Sequence, residues 1–359
     1  MKKILLYITT LLLFAGIGTA CSDWTETEEK DFLSTEQTDE YYADLRAWKA
    51  TYRDRQVSFG WFGNWTGVGA SLQNCMAGLP DSIDVISLWG PWHPYTFNEK
   101  KRADFEYVRK VKGVKVMACS FTMNVGDNLT PEGVDKNEFW GWDATDPVKQ
   151  EAAIRKYARA FADSVNAAGF DGFDIDHEPY HGGAGNLASY EDRMHIFIDE
   201  LGKYFGPKSG TGKLLAIDGE PHSIAPESGP YFDYFIEQTY GNLGGSNSDT
   251  SLDQNRIKKP IEKFAAYMTP EEVAAKYICT ENFESFAMAG GVGYTTRDGE
   301  SVQSLKGFAM WEPIYNGKLL RKGGCGTYHM EYEYKVAKKS GFYPYMREAI
   351  QIMNSAQKK

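Results

Sequence analysis

The chain has 359 residues, 42% of them hydrophobic, 14% aromatic and 25% charged, with a formal net charge of −10. That length and apolar fraction allow a sizeable core in one large domain or two modest ones. The acidic balance argues against nucleic-acid or anionic-membrane partners. The aromatic excess suits a stacking surface, although aromatic side chains are also ordinary core material.

In chain order, residues 1–20 read as a secretion signal. Lys2 and Lys3 precede an apolar run from Ile4 to Ile17, and small residues follow. The run ends Gly18-Thr19-Ala20-Cys21, and Cys21 there resembles a bacterial lipidation site. Gly18 departs from the aliphatic residue usual at its position, and simple cleavage and release is the alternative. No other apolar run is long enough to span a bilayer. Residues 21–38 then read as a lipidated N-terminus and flexible tether, because Ser22 to Lys30 is acidic and polar with Trp24 its one large apolar residue. A single domain is expected over residues 39–359.

Asp39 to Arg55 reads as an amphipathic first helix. Gln56 to Trp61 is the first strand candidate, followed by Phe62-Gly63-Asn64-Trp65. Ile83 to Leu88 is the second, followed by Trp89-Gly90-Pro91-Trp92. Asn98 to Lys110 is helical and leads through Gly113 to the third, Val114 to Thr122. Asp146-Pro147 is a capped start for a helix that runs to Ala168, where Gly169 stops it. A fourth strand follows directly, then a helix over Asn186 to Phe205. Leu214 to Asp218, Tyr234 to Tyr240, Tyr277 to Phe283 and Leu305 to Trp311 complete eight strands, and Met346 to Gln357 is a closing helix. Alternating strands and helices predict an α/β chain, and eight strands predict a closed (β/α)8 TIM barrel. An open doubly wound sheet is the runner-up, but no Gly-rich dinucleotide loop follows the first strand. Between Asp218 and Phe232 there is room for a single turn only, so a reduced helical layer is expected around strands 5 and 6. Cys75, Cys119, Cys279 and Cys325 have no metal-ligand spacing, and whether any of them pair stays open.

The fourth strand, Phe170 to Pro179, carries the chemistry. Side chains alternate faces along a strand, so Asp174, Asp176 and Glu178 share one face while Phe173, Ile175 and His177 share the other. Three carboxylates in a row are costly, because like charges repel and burial disfavours each ionised form. Such a row persists to bind metal or to share protons and tune a catalytic acid. A solvent-facing acidic edge strand is the plain alternative. Metal is disfavoured because His177 has the wrong parity. Asp171 also has the other parity, which assigns it to the structure of the strand start.

Asp171 to Glu178 reads Asp-Gly-x-Asp-x-Asp-x-Glu, which resembles the catalytic strand of glycoside hydrolase family 18. Chitinases and endo-β-N-acetylglucosaminidases of the H/F type belong to that family. The resemblance implies substrate-assisted catalysis with retention and without a cofactor or metal. Glu178 is then the proton donor, Asp176 orients the acetamide, and Asp174 shares a proton with Asp176. Phe235-Ile236-Glu237-Gln238-Thr239-Tyr240 looks like the endoglycosidase Gln-x-Tyr at the sixth strand. It implies that Tyr240 bonds the acetamide oxygen and Gln238 the sugar. Gly307-Phe308-Ala309-Met310-Trp311-Glu312-Pro313 resembles the eighth strand, whose Trp, here Trp311, floors the sugar site.

Trp61, Trp65, Trp89, Trp92 and Tyr180 lie near predicted carboxyl ends, with Trp65, Trp89 and Tyr180 candidates for sugar stacking. Asn124 and Asn282 are candidate hydrogen-bonders. At the third strand Ala118-Cys119-Ser120-Phe121-Thr122 replaces the family's usual Ser-x-Gly-Gly, which weakens the chitinase reading. The long stretches Asn124 to Thr145, Gly241 to Pro260 and Tyr315 to Tyr334 are expected to be the loops that set glycan preference. The resemblance implies an endo-β-N-acetylglucosaminidase acting on N-linked glycans or glycoproteins. The N-terminus implies a lipid-anchored protein of the bacterial cell envelope, at the outer membrane surface, near other glycan-uptake proteins. A chitinase-like hydrolase, or a silent surface glycan-binding lipoprotein, are the alternatives.

Overall fold

The computed structural model describes residues 37–355. The signal segment, Cys21 and nearly all of the tether lie outside those residues, as do Ala356 and Gln357 of the expected closing helix, which ends at Met353. Eight parallel strands form a closed barrel: β1 (Val57–Phe62), β2 (Val85–Leu88), β3 (Lys115–Phe121), β4 (Gly172–His177), β5 (Leu214–Gly219), β6 (Tyr234–Glu237), β7 (Tyr277–Asn282) and β8 (Gly324–Tyr328). Strand β8 pairs with both β7 and β1 and closes the ring. The chain is therefore a (β/α)8 barrel.

Each strand reads as an apolar run because one face meets the helices and the other fills the barrel. Val57, Phe59, Val85, Met117, Leu214, Tyr234, Ile236 and Ile278 pack inside. Outside, Phe173 and Ile175 join the larger core under the helix Pro147–Ala168. That helix starts where Asp146 accepts from Val148 N and Lys149 N, with Pro147 at its first position. It ends at Gly169, whose φ of 89° is left-handed and suits glycine.

The helical layer is thin in two places. Strands β5 and β6 are joined by two short 3-10 turns, Pro221–Ser223 and Pro226–Tyr231, in place of a crossover helix. Strands β1 and β2 are likewise joined by the turns Leu72–Asn74 and Met76–Gly78, a gap the sequence reading did not anticipate. All four described cysteines are buried and free.

One strand assignment is corrected. Leu305 to Trp311 is not the eighth strand: Ser304–Met310 is a helix. Leu305, Phe308 and Ala309 are all buried, and their i, i+3, i+4 spacing fits a helix as well as a short apolar run fits a strand. The true β8, Gly324-Cys325-Gly326-Thr327-Tyr328, lies inside the expected loop Tyr315 to Tyr334. Its glycines disguise it as a turn, yet they are required by the barrel wall. A Cβ at Gly324 would lie 2.0 Å from the Val57 carbonyl oxygen, and one at Gly326 would lie 2.3 Å from that of Phe59.

Candidate active site

The carboxyl ends of the strands gather the acidic row at one mouth of the barrel. Asp171 sets where β4 starts. It accepts two bonds from Arg109, at 2.7 and 2.8 Å, and one from Val116 N at 3.0 Å. From there the alternation carries Asp174, Asp176 and Glu178 to the inside, and Glu178 falls one residue past the strand end. Asp174 is fully enclosed. Its Oδ2 accepts from Ser87 Oγ at 2.6 Å and from Trp61 Nε1 at 3.1 Å. Asp176 pairs in register with Asp218 of β5, so a fourth carboxyl joins the row. The Cys119 thiol donates weakly to Asp218 at 3.8 Å.

Electrostatics follow from burial. It holds Asp174 at about 6, although bonds from Ser87, Trp61 and Asp218 pull the other way. Asp176 is pushed well above the carboxylate range by burial, then by the charges of Glu178 and Asp174. Asp218 is pushed up by burial and by Asp176. Asp174 lies in hydrogen-bond reach of Asp218, and Asp176 of Glu178. Two carboxyls can bond only if one keeps a proton. Burial and mutual repulsion therefore favour the protonated forms of Asp176 and Asp218 at neutral pH.

Cys119 Sγ and carboxylate oxygens of Asp176 and Asp218 lie within 4.8 Å of one another. Burial pushes the Cys119 thiol up as well. A metal here would have to displace the protons these groups hold. His177 points outward, is buried, and neither ring nitrogen has a partner. Burial pushes it down to about 4, so it is neutral.

Strand β6 completes the arrangement. Gln238 Nε2 donates to Glu178 Oε1, and Tyr240 stands beside it. Burial, then the charges of Asp218 and Glu178, push the Tyr240 phenol well up, so it stays a neutral donor. A cavity of about 500 Å³ is lined by Asp176, Glu178, Asp218, Gln238 and Tyr240 below. Trp61, Trp89, Phe121, Asn282, Glu284 and Tyr328 form its walls. A second cavity, of about 590 Å³, adjoins it and shares Glu178, Gln238 and Tyr240.

Several predicted residues converge there: Asp176, Glu178, Tyr240, Gln238, Trp89 and Asn282 line the first cavity, with Asp174 beneath, while Tyr180, 71% exposed, borders the second. Three others do not. Trp311 is enclosed in the outer core and its indole donates to Asp253 at 3.0 Å. It follows a helix rather than a strand, so it cannot floor the mouth. Trp65 is buried and donates to Asp104 at 2.7 Å. Asn124 ties its own turn, donating to Asp127 at 3.1 Å and accepting from Asn186 N at 2.9 Å. Missed were Asp218, legible as the inward residue at the end of β5, and Tyr328, hidden with β8. The Tyr328 ring lies 6.3 Å from that of Tyr240 and nearly parallel to it, and meets Trp61 and Trp89 edge-on.

Carboxyls gathered at the carboxyl mouth of a parallel barrel, under aromatic walls, are the equipment of a barrel glycoside hydrolase. The chain belongs to glycoside hydrolase family 18, BT1044-like, whose description matches residues 21–352. It is similar to a solved selenomethionine BT1044 variant in which a glutamate is replaced by glutamine. The two share 32% identity over 89% of this chain and 94% of that one, with a TM-score of 0.74. Endo-beta-N-acetylglucosaminidase F2 of Elizabethkingia meningoseptica is 29% identical over 196 residues, 52% of this chain and 52% of that protein. The chain thus spans about half the length of the curated relative it matches. An endo-beta-N-acetylglucosaminidase from Cordyceps militaris, solved with fucosyl-N-acetylglucosamine-Asn, shares the fold. Its identity is 19% over 89% of this chain and 97% of that one, with a TM-score of 0.56.

Proposed function

We propose that this hydrolase is an endo-β-N-acetylglucosaminidase, cutting the β-1,4 bond between the two core GlcNAc residues of N-glycans with retention. The observation that carries the reading is the grouping of Asp176, Glu178, Gln238 and Tyr240 around one cavity, with Asp218 at its edge and Asp174 enclosed behind. The sugar's own acetamide oxygen attacks the anomeric carbon, and Glu178 protonates the leaving oxygen. Asp176 bonds the acetamide N–H and offsets the positive charge of the oxazolinium ion that forms. Tyr240 donates to the acetamide oxygen, and Gln238 holds Glu178 in place. Glu178 then takes a proton from the water that opens the intermediate. Asp174 accepts and returns the proton that lets Asp176 ionise when the positive charge appears.

Named relatives support the substrate: two are endo-β-N-acetylglucosaminidases. On residues 1–21 alone we further propose export and lipid anchoring at Cys21, on the outer membrane surface of a bacterium. The test is mass spectrometry of glycans released from high-mannose and complex glycoproteins. Wild type should release glycans ending in one GlcNAc, and Glu178→Gln should not. If wild type releases none from either class, the reading is wrong.

A further inference from the structure

The loops after β1, β2 and β8 meet behind the aromatic walls of the first cavity, at one buried pair of side chains. His329 directly follows Tyr328, and its Nδ1 bonds Glu331 Oε1 at 2.6 Å. His329 is buried and Glu331 is fully enclosed. The same carboxyl reaches across to the loop after β1, where it accepts from Gly63 N at 3.1 Å and from Asn64 Nδ2 at 3.3 Å. A buried carboxyl is costly unless its oxygens are matched, and here both are.

The approach is close. A Cβ at Gly63 would lie 2.8 Å from His329 Cε1, so glycine is required there. Backbone strain gathers at the same place. Asn64 and His329 both lie in the left-handed region, with φ of 50° and 52°. Asn and His enter that region more readily than bulkier residues do. Strain of this kind persists only where the surroundings hold it, and it clusters at ligand clamps.

The His329 ring touches the residues that line the cavity without lining it itself. Its centroid lies 4.4 Å from that of Tyr328 and 5.5 Å from that of Trp89, both edge-on. Tyr332 stacks on it at 4.7 Å, nearly parallel, and the Tyr332 hydroxyl accepts from Asn64 Nδ2 at 3.3 Å. The imidazole is thus fixed by Glu331 and Tyr332 on one side and braces both wall rings on the other. Trp89 needs the brace. It is 44% exposed, and among the described residues its ring meets no aromatic ring but those of Tyr328 and His329.

We propose that His329 is a positioning residue: held by Glu331, it sets Trp89 and Tyr328 at the angle that receives the flat face of the sugar bearing the acetamide. This rests on the endoglycosidase reading, which puts that sugar in the first cavity. A ring already held in place costs less ordering when the sugar binds. The sugar meets the walls alike before and during bond cleavage, so a loosened wall raises KM more than it lowers kcat. An aromatic contact changes affinity by about two- to tenfold.

The experiment uses His329→Asn in the full-length protein. Asn tolerates the left-handed backbone, and its Nδ2 replaces Nδ1 as a donor to Glu331, so the fold is kept while the ring is lost. Kinetics are measured on one glycopeptide in high-mannose and complex forms, with Tm beside them. On the form that wild type cleaves, His329→Asn should raise KM about two- to tenfold, with kcat within about twofold. In a Trp89→Ala, Tyr328→Ala background the same substitution should raise KM no further, because the walls it acts through are gone. Where His329→Asn yields no folded protein, Glu331→Gln carries the test with the same rise expected, since it keeps the shape and gives up one acceptor oxygen. An unchanged KM, whatever the Tm, or an equal rise in both backgrounds overturns this inference and leaves the endoglycosidase reading standing. Cleavage of neither glycan form by wild type overturns the endoglycosidase reading, and this inference with it.

Discussion

Asp174 gives the sharpest handle on single residues. Burial holds its pKa at about 6, against roughly 3.9 for an aspartate in an unfolded chain. The folded state therefore binds that proton more tightly than the unfolded state does. Its contribution to stability is complete below about pH 4 and is lost as pH rises through about 6. Asp174→Asn cannot ionise, and its amide oxygen still accepts from Trp61 and Ser87. The variant's Tm minus that of wild type should therefore climb between about pH 4 and about pH 6 in calorimetry. A pH-independent difference contradicts the buried-acid account. Glu178→Gln should lower kcat by about 10²- to 10⁴-fold, the usual worth of a positioned acid, with little loss of Tm. Strand parity alone assigned Asp174, Asp176 and Glu178 correctly to one face. The inward place of Asp218 at the end of β5 was legible by the same rule, but its pairing beside Asp176 was not, because no single strand shows which strand will lie beside it in register.

Elements carry a different lesson. Strand β4 is positioned by the Arg109–Asp171 pair at its start. Asp171→Ala leaves Arg109 and Val116 N without their acceptor and should cost about 2–3 kcal/mol in urea unfolding. Seven of the eight strands were legible because each is an apolar run bounded by Gly, Pro or helix caps. The eighth was not, since Gly324 and Gly326 answer to the backbone of β1 across the barrel, a constraint with no local trace. The misplaced strand took Trp311 with it. As a core residue bonded to Asp253, Trp311→Phe should lower stability by about 1 kcal/mol through the lost hydrogen bond. Tyr328→Ala, by contrast, should raise KM for glycan substrate without a comparable loss of Tm. A KM defect in Trp311→Phe larger than that in Tyr328→Ala contradicts this placement.

At the scale of the whole molecule, the barrel relies on packing rather than covalent ties. The sequence left open whether the cysteines pair. The fold leaves each thiol free and enclosed: Cys119 faces the barrel interior, while Cys279 and Cys325, register partners on β7 and β8, lie side by side in the outer core without a bond between them. Reductant should leave Tm unchanged, and thiol reagent should react with Cys75, Cys119, Cys279 and Cys325 only after unfolding. A loss of about 2–4 kcal/mol on reduction would instead reveal a disulfide. The thin layer between β5 and β6 was legible from Pro and Gly density. The gap between β1 and β2 was not, because residues 63–84 are long enough for a helix and simply fold into turns. The loss of cover between β5 and β6 leaves Glu220 and His222, at the end of β5 and in the turn after it, to line the second cavity.

The central claim is that Glu178 works beside a sugar that supplies its own nucleophile. Its most direct test is the hydrolysis rate of a glycopeptide whose core sugar on the non-reducing side of the cut bears a free amine in place of the acetamide, measured beside the acetylated parent. The account predicts that wild type cleaves the parent and leaves the amine analogue untouched. Cleavage of both at comparable rates would contradict it.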